Sequence, residues 1–185
     1  MRADSQLLER PPWSALTTAH APFALGDDLA RRYQPAVAPM AAVRDVSNDC
    51  LHALQAIMKP GDIVGLFSAE PVAATEGLKA VANMTVEQMV YEGSGALATT
   101  GEHVALTPAD VPDMLQLVEL TKPGPFFPRT IELGSYIGIR TGGRLIAMAG
   151  ERMRFPGFTE ISAVCTHPDH RGRKLLSSPR LALPD

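Results

Sequence analysis

The stretch TEISAVCTHPDHRGR, residues 159–173, decides how the rest of the chain is interpreted. Residues 159–166 predict a β-strand, and Pro168 ends it because proline lacks the N–H that a strand's hydrogen bonds need. A loop follows in which Gly172 lies between Arg171 and Arg173. The sequence therefore predicts a loop of anion-binding composition at the end of a strand.

This loop carries groups that can bind a diphosphate. Backbone N–H groups near Gly172 can approach an anion closely, and a helix that began there would add its positive end. The guanidinium groups of Arg171 and Arg173 supply paired donors that fit phosphate oxygens. The residues alone leave a second interpretation open, a solvated basic turn, because short charged runs are often only that.

Upstream of this strand, the chain predicts another strand followed by a helix. Residues 103–107 predict the strand. Thr107, with Pro108 and Asp110 behind it, has the pattern of a capping box at a helix start. Apolar residues then recur along one helix face, up to a helix end near Thr121: Val111, Met114, Leu115 and Val118.

The intervening chain predicts a short helix and two more strands. Residues 129–133 predict the helix, and residues 135–140 and 144–154 predict strands on either side of Gly142 and Gly143. Two glycines between strands indicate a hairpin because both can adopt positive φ. The predicted order is therefore strand, helix, short helix, three strands and the loop.

This order, together with the loop, resembles the GNAT (Gcn5-related) acyltransferases, and within them the FR47-like branch. The family pattern is Arg/Gln-x-x-Gly-x-Gly/Ala after a strand, and Arg171 lies at its first position. The resemblance covers about residues 102–173. It implies an α/β (α+β) fold with a mixed, mostly antiparallel sheet flanked by helices. It also implies acetyl transfer from acetyl-CoA to a primary amine on a small molecule or peptide.

The resemblance further implies which residues bind acetyl-CoA. In the family, the strand before the loop splays from its neighbour and pairs its backbone with the pantetheine arm, which here points to Val164, Cys165 and Thr166. The loop of the family binds the pyrophosphate. The corresponding positions in this chain are Arg171, Gly172, Arg173 and Lys174.

Glu160 is the candidate for the base that takes a proton from the acceptor ammonium. In histone-acetylating members of the family, a glutamate at the matching strand position has this role. Apolar neighbours such as Ile161 and Phe158 suit a base that works near neutrality. The alternative is a structural ion pair across the hairpin with Arg152 or Arg154.

Other reactive side chains are weaker candidates. Glu151 is a second choice for the base. Cys165, His167 and His170 lack the paired spacing of a metal site, so no metal is predicted. Cys165 has no evident base beside it, and strand cysteines are usually only buried.

The first half of the chain carries fewer functional signals. Residues 1–101 are interpreted as an N-terminal α/β region, with a degenerate GNAT-like lobe as one interpretation, and residues 102–185 as a partial GNAT domain. His20 is expected to be an ordinary structural residue and Tyr33 an anchor of this region. The predicted local features are two helical turns over 27–33, a helix over 48–58 with Ser47 as its N-cap, a turn over 59–62, a strand over 62–67, a strand followed by further structure over 78–92, and a linker over 92–102.

The chain departs from the family pattern after Arg173. Lys174 and Leu176 stand where the pattern has small residues, and side chains there would obstruct the backbone's approach to a diphosphate. Residues 174–185 are interpreted as a non-family tail, and the chain as truncated or frameshifted within the loop. An impaired enzyme is therefore one interpretation. A catalytically inactive remnant, a CoA-binding module or a structural partner domain are the others.

Composition narrows the class of protein. The 185 residues have a net charge of −3, which argues against a broad nucleic-acid surface. The N-terminus lacks an apolar signal core, and no stretch approaches the roughly 20 apolar residues of a spanning helix. Two cysteines indicate no disulfide framework, so a reducing cytoplasm and no membrane partner are expected. A homodimer stays open because an exposed sheet edge favours self-association.

Overall fold

The computed structural model describes residues 5–69, 72, 75–91, 103–173 and 175, and its strands form two sheets. The helices described are α1 (Pro11–Leu16), α2 (Asn48–Ala56) and α3 (Val111–Thr121). The strands are β1 (Ala24–Gly26), β2 (Ala30–Tyr33), β3 (Met40–Val43), β4 (Gly65–Leu66), β5 (Val104–Ala105), β6 (Tyr136–Thr141), β7 (Arg144–Phe155) and β8 (Phe158–Thr166). Short 3₁₀ turns span Ser5–Leu8, Ala21–Phe23, Pro108–Asp110, Thr130–Leu133 and Pro168–His170.

The second sheet has the order β5-β6-β7-β8 and is antiparallel throughout. Gly142 and Gly143 join β6 to β7 with φ values of 59° and 82°, so the predicted hairpin is confirmed. Gly157, with φ of 81°, lies in the tight turn between β7 and β8. Together with the antiparallel β1–β3 pairs and the parallel β3–β4 pair, this confirms the predicted mixed α+β class.

Helix α3 covers one face of this sheet. The Asp110 carboxylate accepts hydrogen bonds from Thr107 N at 2.8 Å and Thr107 Oγ1 at 2.9 Å, so the predicted capping box is confirmed. The predicted apolar stripe packs into a core that includes Met148 and Cys165. The helix ends at Thr121, as predicted, and Lys122 caps it in the left-handed conformation at φ 50°.

The first sheet corrects one prediction and confirms two. Residues 27–33 were predicted to be helical but form a tight turn and β2. The reason is local: the Asp27 side chain accepts hydrogen bonds from Leu29 N and Ala30 N, which fixes a turn before β2. The helix after Ser47 is confirmed as α2. The predicted 59–62 turn is closed by a bond from Asp62 N to Lys59 O.

Three predicted strands are shorter or absent, and the one over 103–107 reduces to β5. The prediction over 62–67 reduces to β4, which pairs in parallel with β3 at the end of the first sheet. The prediction over 78–92 is wrong for the described part, since residues 79–91 form no helix or strand. Met84 and Met89 are 84% and 93% exposed there, and no described strand pairs with the segment. The predicted linker over 92–102 lies outside the described residues.

One core joins the two halves of the chain. Leu16, Tyr33 and Val37 from the first half pack with Met153 and Phe155 of β7. Thr130 Oγ1 donates to Val37 O at 2.7 Å, and Arg129 donates to Gln34 at 2.8 Å. The first half therefore covers part of the second sheet. The boundary at residues 101 and 102 stays a prediction.

Candidate functional site

The strand β8 is irregular where the sequence placed the functional site. Ser162 pairs with Gly150 and Cys165 pairs with Met148, so two residues of β8 oppose one residue of β7. This is a β-bulge at residues 163–164, and Ala163 within it has φ of 53°. Such bulges bend a strand and re-aim its groups, and they are frequent beside active sites.

The bulge leaves one edge of β8 open among the described residues. β8 is the last strand in the order of its sheet and pairs there only with β7. Val164 is 46% exposed at this place, whereas Cys165 is buried in the core beneath α3. Burial raises the pKa of the Cys165 thiol, which disfavours the thiolate that a nucleophile would need. The strand can therefore offer backbone groups rather than the cysteine side chain.

The loop after β8 begins with a 3₁₀ turn that the strand itself supports. His167 N donates to Ile146 O at 2.7 Å, which ties the end of β8 to β7. Arg171 Nε donates to Thr166 O at 3.3 Å, so the loop folds back on the strand. Arg171, Gly172 and Arg173 are all exposed.

Gly172 lies in an exposed turn of the loop. Its φ is 76°, a conformation that favours glycine. A Cβ built on it would meet no atom within 4 Å, so its backbone is open to an approaching group. Within the described residues neither flanking arginine forms an ion pair. Lys174, the fourth predicted loop residue, lies outside the described residues, as do Leu176 and the remaining predicted tail except residue 175.

Glu160 forms the ion pair that the sequence left open as its alternative role. Arg152 Nε donates to Glu160 Oε2 at 2.9 Å, and Arg152 Nη2 also contacts Glu160 Oε1. Each side chain is about one third exposed, at 31% and 32%. The hydrogen bond to Glu160 raises the pKa of Arg152, which therefore stays charged. Arg152 engages both Glu160 oxygens. For Glu160 to accept a proton from an amine, Arg152 must therefore release one of these two oxygens.

Glu151 is held more firmly than Glu160. Its carboxylate is buried and accepts a hydrogen bond from Ser135 N at 2.9 Å. It also packs so closely on Gly134 that a Cβ there would lie 2.3 Å from Glu151 Oε2. The side chain therefore ties β7 to the segment before β6, which leaves it a weaker candidate for the base.

A cavity of about 610 Å³ lies beside the β7–β8 turn, and no pattern in the sequence predicts it. Its walls come from three separate segments: residues 18–20 with Phe23, residues 132–134, and residues 154–159. His20 on its wall is buried and hydrogen-bonds Tyr33 OH through Nδ1 at 2.9 Å and Leu133 O through Nε2 at 3.0 Å. Burial lowers the pKa of His20, which favours the neutral ring. Contacts this distant in sequence leave no local pattern.

Of the side chains considered as metal ligands, His167 has a structural role. His167 Nδ1 accepts a hydrogen bond from Asp169 N, which makes it a cap of the 3₁₀ turn. In the part of the chain that the structure describes, no group of three or more His, Cys, Asp or Glu side chains has a metal-binding arrangement. No helix among these residues is long and apolar enough to cross a membrane.

Comparison with known proteins identifies what this geometry resembles. Residues 136–178 match the family model of FR47-like proteins, a range that runs past Arg173 into the predicted non-family tail. The fold is similar to the crystal structure of a protein from Novosphingobium aromaticivorans DSM 12444 that is assigned to the GNAT family of acetyltransferases. The two share 33% sequence identity and a TM-score of 0.75, over 91% of this chain and 75% of that one. No curated protein matches the chain.

Proposed function

Because the chain belongs to the GNAT family of acetyltransferases, we propose that it transfers the acetyl group of acetyl-CoA to a primary amine on a small molecule or peptide. The observation that carries the proposal is the bulged edge strand β8 running into an exposed Arg-Gly-Arg loop. The strand and the loop are contiguous, so one extended ligand can contact both.

The edge of β8 is suited to an extended, amide-containing arm. Backbone N–H and C=O groups at an open sheet edge can pair with such an arm as they would with another strand. The residues proposed for this role are Val164, Cys165 and Thr166. Thr166 O already accepts from Arg171 Nε, so within this set the pairing with the arm is centred on Val164.

The loop is suited to the diphosphate at the other end of the arm. Gly172 lets the backbone approach closely, and the guanidinium groups of Arg171 and Arg173 are free of described carboxylates. Two such groups supply charge and paired donors for phosphate oxygens. Lys174 is proposed as a further positive charge at this end.

The reaction joins an amine nitrogen to the acetyl carbon. The C–N bond forms, the C–S bond of the thioester breaks, and the sulfur leaves with the electron pair. An ammonium nitrogen loses two protons on becoming an amide nitrogen. We assign the first to Glu160 after Arg152 releases one carboxylate oxygen, and the second protonates the departing sulfur to give the free thiol. Since the pair is partly exposed, its opening costs less than it would in a dry core.

A second candidate function is a module that binds CoA without turnover. It is favoured by the engaged state of Glu160, whose two oxygens both contact Arg152. It is favoured also by Lys174 and Leu176, which stand where the family pattern has small residues. Both functions require acetyl-CoA binding, and only the first requires release of free thiol in the presence of an amine.

Thermal unfolding with and without acetyl-CoA tests the proposal. A ligand at about 100 times its dissociation constant stabilises the fold by roughly 2.7 kcal/mol. We expect a clear upward shift in Tm for the native chain, a much smaller shift for the Arg171→Ala/Arg173→Ala variant, and a native shift for Arg44→Ala. Arg44 is a matched control because it is an exposed arginine in the first half of the chain.

Thiol release with a panel of amines then separates the two candidates. Release that depends on the amine supports the transferase. Binding without release supports the module. Failure of acetyl-CoA to stabilise a chain that unfolds cooperatively contradicts both.

A further inference from the structure

The cavity beside the β7–β8 turn has one charged group whose charge is poorly compensated. Glu132 lines the cavity, but Arg129 engages both of its oxygens at 2.7 Å. Arg154 also lines it, its side chain is 51% exposed, and its ion-pair partner Glu151 is 3.8 Å away. That distance is too long for a hydrogen bond, and Glu151 already accepts one from Ser135 N. The cavity therefore presents a guanidinium whose donors make no hydrogen bond to any residue that the structure describes.

The other walls are apolar or neutral. Phe23, Phe155 and Phe158 supply aromatic surface, and the ring centroids of Phe155 and Phe158 are 5.5 Å apart. His20 adds an imidazole that both burial and the nearby Arg154 charge keep neutral. Thr18 and Thr159 add hydroxyl groups at the exposed rim. This lining fits an apolar body that carries one anionic group.

The cavity is connected to the proposed reaction centre. Thr159 on its wall is adjacent in β8 to Glu160. His20, also on the wall, hydrogen-bonds Tyr33. Burial raises the pKa of Tyr33, the nearby charge of Glu160 raises it further and that of Arg152 lowers it, so both charged groups lie near its hydroxyl. The cavity volume of about 610 Å³ lies within the range of small-molecule sites. The cavity and Glu160 therefore lie at the same end of β8.

We propose that this cavity binds the acceptor, and that the acceptor is an amine with an apolar body and a carboxylate that Arg154 receives. The assignment of the ligand as the acetyl acceptor rests on the proposed function, whereas the carboxylate site rests on the cavity alone. Carboxylate and guanidinium form paired, charge-assisted hydrogen bonds, so the interaction also orients the ligand. Arg154 is thus a specificity-determining residue.

Equilibrium binding without acetyl-CoA tests the site. The probes are 3-phenylpropionate and its neutral isostere 3-phenylpropanamide, measured by calorimetry. We expect the carboxylate to bind about tenfold more tightly, the size of one charge-assisted contact. Arg154→Gln should remove that difference, and Arg44→Gln should keep it. Ala19→Trp, which fills the cavity from its exposed rim, should weaken both probes and leave Arg154 in place.

The outcomes separate this inference from the proposed function. Equal binding of the two probes, no binding of either, or a preference that survives Arg154→Gln overturns the carboxylate site. Failure of the proposed function instead shows as missing stabilisation by acetyl-CoA, which these probes do not involve.

In the acetyl-transfer reaction, L-phenylalanine should exceed 2-phenylethylamine in kcat/KM, and Arg154→Gln should raise KM for the former more than it lowers kcat. A preference for the decarboxylated amine contradicts the acceptor assignment.

Discussion

Arg152 and Glu160 lie across the β7–β8 hairpin, and their pairing sets the chemistry available at the site. Glu160 pairs in register with Met153, while the bulge in β7 leaves Arg152 without a Cα partner on β8. That irregularity brings the guanidinium to the Glu160 carboxylate. The pair is partly exposed, so its own contribution to folding stability is small. A functional role for Glu160 must therefore show in turnover rather than in stability.

Glu160→Gln separates the two roles of this residue. The amide keeps an oxygen for Arg152 but cannot take the proton of an ammonium, so we expect kcat to fall by roughly 100-fold or more. The KM for acetyl-CoA should change little, because the β8 backbone and the loop are untouched. Steady-state kinetics check this, with Glu119→Gln on the exposed face of α3 as control. Unchanged kcat in Glu160→Gln would assign the pair a purely structural role.

His20 makes the stability of the fold depend on pH. Burial lowers its pKa below the ordinary value of 6.5, and Arg154 acts in the same direction. The unfolded chain therefore binds this proton more readily than the folded chain does. Stability from His20 is complete above pH 6.5 and is lost as the pH falls below that value.

Thermal unfolding between pH 5 and 8 measures this effect against His20→Gln, which cannot titrate there. We expect the native chain to lose Tm below pH 6.5 more steeply than the variant does. His52→Gln, at an exposed histidine, should follow the native profile. Parallel profiles for the native chain and His20→Gln would rule out this linkage.

At the scale of elements, predictions that depend on a motif complete within a few residues were confirmed. The capping box, the apolar stripe of α3 and the Gly142–Gly143 turn are each complete within a few residues, and each formed as predicted. The helix predicted over 27–33 is wrong because the Asp27 side chain accepts hydrogen bonds from Leu29 N and Ala30 N, which fixes a turn there instead. The strand predicted over 78–92 failed because apolar residues form a strand only beside another strand.

The candidate site divides in the same way. The loop at 171–173 and the arginine beside Glu160 could be predicted, because a strand end and a hairpin bring together residues near in sequence. The cavity could not be predicted, because His20 and Leu133 are 113 positions apart and meet only after both halves pack. The bulge at Ala163 was also missed, since alanine gives no sign of a positive φ.

At the scale of the whole molecule, both halves share a core and a hydrogen-bonded junction. Thr130 Oγ1 donates to Val37 O at 2.7 Å and accepts from Phe127 N at 2.8 Å, and the side chain is buried. Leu133, at the end of the same 3₁₀ turn, accepts from His20. We therefore expect the cavity walls to unfold together with the rest of the chain.

Thr130→Val tests that coupling with almost no change in volume. It leaves Val37 O and Phe127 N without this partner, which should lower the free energy of unfolding by about 1–3 kcal/mol. Trp13 fluorescence reports on the first half, and hydrogen exchange of β7 amides reports on the second. We expect both probes to shift together in a denaturant titration, because the two halves share one core. Thr141→Val, at an exposed position of β6, should leave both midpoints near the native value. Separate midpoints for the two probes would instead show that the halves unfold independently, and the cavity between them would then open without loss of the second sheet.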